Sequence, residues 1–375
     1  GKVVFVARMY RPLVPSLMRS NWEYGSVVEK ISAEMPDNES NPVWELEDGK
    51  DYPQDKFRTP KNVRVKFFNK AVTFEIPMSF TEEQLKQSFS SANQLNSFFS
   101  MIATLIANKM TLNFANLTRS VICSLISATM YRDFHEIYDA TDGTYDWEDT
   151  DAPVICAKAN RAINLLARYK AEVATANQNL TAAECLTDPE FIRYAVHQMS
   201  LYSKRMAEIS TLFNIGGKQR FTPKDLQHFV LLTDFSAAVG AYLQSDTFHD
   251  EYVALPKHET INYWQGTGDF YGVVNTSRIT NKQFVTADGE NLVVDDVTGK
   301  PKAVLTDISY VLGVIFDNDS MGINNEKQKT TAHYNGHGDF NNYWYKAFGR
   351  YYNDYDENCV VFFVADLPSD DSEEA

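Results

Sequence analysis

The chain has 375 residues, 44 % of them hydrophobic and 13 % aromatic, enough to bury a sizeable core. Its formal net charge of −15 argues against a dedicated nucleic-acid binder, which neutralises phosphates with a basic face. The longest apolar region, Phe98 to Ala107, is broken by Ser100 and Thr104 and falls well short of the roughly 20 residues of a membrane span.

The opening "GKVVFVARMY" has a short apolar run cut by Arg8 and Arg11, which argues against a secretory signal. Residues 1–42, punctuated by Pro12, Pro15, Pro36 and Pro42, predict an extended arm with one helical turn near Ser26 to Ala33. Val63, Val65 and Phe67, then Val72, Phe74 and Ile76, alternate with polar residues at period two. With the charged, Gly- and Pro-bearing "EDGKDYPQDKFRTPK" before them, they predict a long two-stranded projection over 43–80. An isolated two-stranded hairpin is marginal in water, so arm and projection both need a support. The first 70 residues carry 12 Lys and Arg against 10 Asp and Glu, a net +2 that leaves −17 for the remainder. That asymmetry favours contact between the first segment of one copy and the body of another, within a screening length of roughly 8 Å.

The period then changes. Thr81 and Gln84 form a capping box, and Leu85, Phe89, Ala92, Leu95, Phe99, Ile102 and Ile106 make one apolar stripe. A helix from about Glu82 to Lys109 would be about 40 Å long. A less regular apolar stretch, Leu112 to Tyr138, and the acidic turn "DATDGTYDWEDTDAP" follow. Asp151 and Pro153 precede a helical pattern through Cys156, Ala159, Ile163, Leu166 and Val173. Asp188 and Pro189 are an N-cap and first-turn pair before Ile192, Val196, Met199, Met206 and Ile209, with Gly216 and Gly217 as the stop. "LQHFVLLT" reads as a buried strand, "DFSAAVGAYLQS" as a short helix, and "TINYWQGTGDFYGVVNTSRI" onward as strands and turns. "ISYVLGVIFD" and "CVVFFVAD" close the sequence as strands, followed by the acidic tail "DLPSDDSEEA", a solvated end.

Chemical motifs are weak. Cys123, Cys156, Cys185 and Cys359 are far apart without a C-x-x-C pair, so they read as buried thiols rather than a zinc or redox site. His333, His337 and Asp339 in "HYNGHGDF" are the best metal-like cluster. Gly336 and Gly338 remove the helix that would give the spacing meaning, so a structural loop is the favoured reading. "NIGGKQR" lacks the phosphate-loop spacing and "GTGDFYG" lacks the third glycine of a dinucleotide loop. Asp146, Glu148, Asp149 and Asp151 read as a solvated turn, and Tyr343, Trp344, Tyr345, Phe348, Tyr351 and Tyr352 as packing under a turn or at a subunit contact. No cofactor is expected.

The order of parts is more informative than any one of them: a Pro-rich arm, a long charged projection, a very long capped helix, mixed helices, an α/β segment and a last apolar strand. It resembles the major capsid proteins of tailed bacteriophages with the HK97-like fold, an α+β architecture, over nearly the whole chain. The resemblance implies an N-terminal arm at 1–42, an extended loop at 43–80, a spine helix and peripheral domain at 81–230, an axial domain at 231–345, and a return to the peripheral domain with the tail at 346–375. It implies a non-enzymatic subunit that self-assembles as pentamers and hexamers into an icosahedral shell around phage DNA, located in the virion and built in the host cytoplasm. Its partners would be other copies of itself, with scaffolding, portal or decoration proteins and non-specifically held double-stranded DNA, and no membrane. Phe5, Met9, Tyr10, Leu13 and Trp22 would anchor the arm, and Trp44, Tyr52, Phe57, Val65 and Phe67 on the loop would touch an adjacent subunit. The alternatives are a metal-dependent hydrolase using His333, His337 and Asp339, and an aromatic-rich carbohydrate-binding module.

Overall fold

The computed structural model describes residues 6–17, 27–36, 48–49, 60, 62–81, 83, 91–133, 161–213, 219–246, 255–264, 274–277, 304–307 and 311–366. The body is built on a mixed five-stranded sheet. Its strands are β4 (Ala162–Asn164), β5 (Gln227–Leu232), β6 (Glu259–Ile261), β9 (Val311–Asp317) and β12 (Cys359–Phe363), in the order β4-β12-β9-β5-β6. β12 is the "CVVFF" run near the C-terminal end of the sequence, and it is buried on both faces. Cys359, Val361 and Phe363 point to one core and Val360, Phe362 and Val364 to the other. Two-sided burial explains why this strand is an unbroken apolar run rather than an alternation.

The first core is covered by α1 (Ala92–Asp133), through Val121, Ile122, Leu125 and Ile126. The second is covered by α2 (Leu165–Glu172), α3 (Pro189–Met206) and α4 (Thr233–Asp246). The result is a sheet between two helical layers. The Asp188 carboxylate accepts from the Glu190 and Phe191 backbone N–H groups, and Pro189 occupies the first turn, so α3 starts where the sequence predicts. The helix stops at Met206, and Ile209 lies beyond it, exposed.

Three elements differ from expectation. The helix predicted to end near Lys109 continues to Asp133, 42 residues in all and about 60 Å long. Beyond Val121 it enters the core, where neighbouring positions on every side are buried, and the single stripe that marks an amphipathic helix disappears. Its hydroxyl residues return their hydrogens to the preceding turn, as in Thr118 Oγ1 to the Phe114 carbonyl (3.0 Å) and Thr129 Oγ1 to the Leu125 carbonyl (2.9 Å), so they can be buried in a helix. The helical pattern through Ile163 and Leu166 is instead the short strand β4 followed by α2, capped by the Asn164 side chain. The Asp133 carboxylate accepts from the Arg161 and Ala162 N–H groups and ties β4 to the end of α1. The helical turn expected near Ser26 to Ala33 is the strand β1 (Val28–Ser32), because β2 (Arg64–Phe68) supplies an antiparallel partner. Gln84 of the capping box, the acidic turn before Pro153, and Gly216 and Gly217 lie outside the described residues.

Beneath α1 runs a second sheet of long antiparallel strands, β3 (Lys70–Thr81), β10 (Met321–Asn335) and β11 (Phe340–Asn353), in the order β10-β11-β3. Phe74 meets Phe114 of α1 edge-on at 5.3 Å. Here α1 approaches so closely that a Cβ on Gly349 would sit 3.1 Å from the Asn324 carbonyl and 3.2 Å from the Phe114 ring. A small separate sheet pairs β7 (Val274–Ser277) with β8 (Val304–Asp307). The boundary expected at 345/346 falls inside β11, which is continuous.

Candidate assembly interface

The strands β1 and β2 form a two-stranded ribbon beside the body, with Lys30 directly opposite Lys66 and Glu29 opposite Phe67. Like charges facing each other on a ribbon repel, so the inner face needs anions. They come from the turn between β11 and β12. The Lys66 ammonium donates to Asp354 (2.7 Å) and Asp356 (2.5 Å), and Lys30 donates to Asp354 (3.0 Å) and to Glu357. Arg220 closes the cluster on the far side of Glu357.

Burial opposes the charge on Lys66, but Asp354 and Asp356 outweigh it and raise its pKa. Burial also opposes ionised Asp354, and Lys30 and Lys66 overcome it and hold that carboxyl below the usual range. The two directions agree: the cluster is charged, and its attraction exceeds the cost of dehydration. Thus the turn "NDYDEN", Asn353 to Asn358, with Asp354 and Glu357 buried, is the seat of the ribbon. Two positive charges of the first 70 residues, Lys30 and Lys66, are thus paired within the same chain.

The outer face of the ribbon is the reverse. Ile31 is 65 % exposed and Phe67 67 %, with Val65 beside them and Val27, Met35 and Val63 exposed at the ribbon's ends. A face of this kind on a small ribbon marks a contact surface rather than a scatter of surface apolar residues.

The arm, residues 6–17, lies along α1. The Tyr10 backbone N–H donates to Asn108 Oδ1 (2.8 Å), and Asn108 Nδ2 donates to the Arg8 carbonyl (2.6 Å). Leu17 is buried in the first core and its carbonyl accepts from the Ile323 N–H (3.0 Å). Next to the arm, a groove of about 830 Å³ separates α1 from the three-stranded sheet, with Phe80, Phe99, Ile102, Ile106 and Met110 in its walls.

Of the ten interface residues singled out in the sequence, Val65 and Phe67 fall on the ribbon's outer face, and Met9, Tyr10 and Leu13 are exposed on the arm. Phe5, Trp22, Trp44, Tyr52 and Phe57 lie outside the described residues. The sequence reading passed over Leu17, which holds the arm to the body, and Lys30, Lys66, Asp354 and Glu357, which hold the ribbon. The one signal available was parity: in "NVRVKFF" Arg64 and Lys66 share the face opposite Val65 and Phe67.

The histidine cluster is the turn of the β10–β11 hairpin. Asn335 Oδ1 accepts from the His337 and Gly338 N–H groups (3.0 and 3.2 Å), and Asp339 Oδ1 accepts from Tyr334 Oη (2.7 Å). Asp339 is therefore part of the turn's own hydrogen bonding. Among the described residues no group of His, Cys, Asp and Glu is arranged to hold a metal ion, and no helix is long and apolar enough to cross a membrane.

A long helix over a long antiparallel sheet, a sheet body between helical layers, an arm and a projecting ribbon define the class of HK97-like phage capsid folds. The chain matches one in the capsid structure of Staphylococcus phage Andhra with a TM-score of 0.53 and 12 % identity, covering 98 % of this chain and 89 % of that one. It matches another, in a structure of the head fibre and inner core protein of native bacteriophage P68, with a TM-score of 0.54 and 10 % identity, covering 97 % of this chain and 87 % of that one. No curated protein matches the sequence. The model of the Phi29-like phage major capsid protein family matches residues 1–363, and the chain belongs to that family. It is a non-enzymatic subunit of the phage capsid shell, and the hydrolase reading of His333, His337 and Asp339 falls with that assignment.

Proposed function

We propose that the subunit assembles as pentamers and hexamers into an icosahedral shell that encloses double-stranded DNA, and that it is built in the host cytoplasm. One observation carries the reading at the level of residues: the ribbon turns its charges inward to the chain's own acidic turn and its apolar side chains outward to water. Exposed apolar area contributes roughly 25 cal/mol per Å² when a neighbour covers it, and a shell repeats each contact many times. Met9, Tyr10, Leu13, Val65 and Phe67 are among the side chains such neighbours would cover, with Phe5, Trp22, Trp44, Tyr52 and Phe57 assigned to the same role. The net charge of −15 suits a container whose contacts with packaged phosphate are weak and independent of sequence. Scaffolding, portal or decoration proteins are its further partners.

In this reading residues 1–42 are the arm, 43–80 the extended loop, and 81–230 the spine helix and peripheral domain. The axial domain begins at 231. It runs to 345, and residues 346–375 return to the peripheral domain and form the acidic tail. Negative-stain microscopy of the purified chain tests the assembly, with shells, tubes or capsomers as the expected result. Deleting residues 46–62 should leave a folded subunit that does not form particles. Normal particles from the deletion variant would remove the loop from the assembly contact.

A further inference from the structure

A second hollow, of about 670 Å³, opens on the body where β5 and β6 begin, at one edge of the five-stranded sheet. That volume falls among small-ligand sites, which span roughly 300–1,000 Å³. Three elements far apart in sequence each bring one lysine to it: Lys204 from α3, Lys224 from the short 3₁₀ turn before β5, and Lys257 from the approach to β6. We propose that this pocket is a phosphate-binding site, whose ligand is either the phosphodiester backbone of duplex DNA or a free phosphate such as a nucleotide. The DNA source rests on the assembly reading above.

Acids outnumber bases 50 to 35 in the whole chain, and the pocket inverts that balance. Its acids among the described residues are Asp225 and Glu259. Glu259 turns to other groups, Oε1 accepting from the Ser16 N–H (3.4 Å) and Oε2 lying 3.7 Å from His228 Nδ1. Asp225 is left to face three ammonium groups, all exposed and none in an ion pair among the described residues. Like charges converging on one hollow repel, and an anion with several acceptor oxygens relieves the repulsion while giving each ammonium a charge-assisted hydrogen bond. No arginine lines the pocket among the described residues. Lysines without a guanidinium fork act as point charges, which suits a compact tetrahedral phosphate better than a flat carboxylate.

The walls are built in advance. Gln227 Nε2 donates to the Ser203 and Thr222 carbonyls (2.9 and 2.8 Å) and Ser203 Oγ donates to Gln227 Oε1 (2.7 Å), which staples α3 to β5. His258 Nδ1 donates to the Pro256 carbonyl (3.0 Å), and His228 Nε2 meets Asn318 Oδ1 (3.0 Å) with its ring stacked on Phe316. The lysine side chains are the parts that a ligand has to order.

Binding to the purified full chain before assembly tests the site, so the result is independent of particle formation. A labelled duplex of about 20 base pairs should lose about 40-fold in affinity between roughly 50 and 200 mM salt, the dependence of three phosphate contacts. Lys204→Gln, Lys224→Gln and Lys257→Gln should each shallow the slope of log affinity against log salt by about 0.9. Lys109→Gln, at an exposed lysine on α1, should leave it unchanged. ATP and inorganic phosphate form the other arm: their binding, lost in the triple variant, with no such slope for the duplex supports the site and assigns it to a free phosphate. The three substituted side chains are exposed, so the thermal midpoint of the triple variant should stay near the wild-type value. Binding of duplex, ATP and phosphate that is absent, or is the same in the triple variant, would overturn the proposal and leave the assembly reading intact. A synthetic peptide DLPSDDSEEA that binds this pocket where no phosphate does would overturn it as well and give the pocket to the acidic tail. A chain that binds phosphate here and forms no particles loses the assembly reading and keeps the site.

Discussion

Asp354 keeps its charge at 3 % side-chain exposure because two ammonium groups reach it, Lys30 at 3.0 Å and Lys66 at 2.7 Å. Replacing it with Asn leaves the two lysines opposite each other on the ribbon with less anion between them. The expected outcome is at least about tenfold faster hydrogen exchange in β1 and β2, with the five-stranded sheet unchanged. The pH dependence follows from the direction of the shift. Asp354 has a folded pKa below its unfolded value, so its contribution is fully present above about pH 4 and is lost as pH falls through the depressed folded value. After correction for intrinsic rates, ribbon exchange should therefore be flat from about pH 7 to pH 5 and accelerate only below about pH 4. Loss of protection between pH 5 and 7 would assign the ribbon to a different titrating group. None of this pairing is legible in "NDYDEN", because a polar cluster at a turn looks the same in sequence whether water or two lysines, 324 and 288 residues away, satisfy it.

Elements are legible where a local rule and the tertiary environment agree. At α3 the cap, the proline and the apolar spacing all point to one helix, and its start is read to the residue. Asp188→Ala should accordingly cost about 1 kcal/mol, measured as a lowered midpoint in denaturant, since two backbone N–H groups lose their acceptor. β12 is legible for a similar reason, as five consecutive apolar residues admit few fates but a central strand. The second half of α1 is not. Once a helix is buried on all sides its period vanishes, and only the lack of proline or glycine between Ala92 and Asp133 records that it never stops. β1 fails in the opposite sense, because five residues take their conformation from a partner strand more than thirty positions away.

At the scale of the molecule the sequence does not distinguish apolar side chains meant for the chain's own core from those meant for a neighbour. Phe67 and Val361 both sit in short, strand-like apolar patterns, yet one is 67 % exposed and the other fully buried. Matched substitutions separate the two roles. Phe67→Asp removes little from the isolated subunit, whose thermal midpoint should stay near the wild-type value because surface changes shift stability by about 0.5 kcal/mol or less. Particle formation by the same variant should fail, since each copy would place a carboxylate in an apolar contact. Val361→Asp places the same group in a central strand between β4 and β9 and should abolish folding before assembly is reached. Circular dichroism melts read the first quantity and electron microscopy the second. A Phe67→Asp chain that melts early would mean that the ribbon's outer face is packed against its own subunit. One that melts normally and still builds shells would mean that the exposed ribbon face is not where the copies meet.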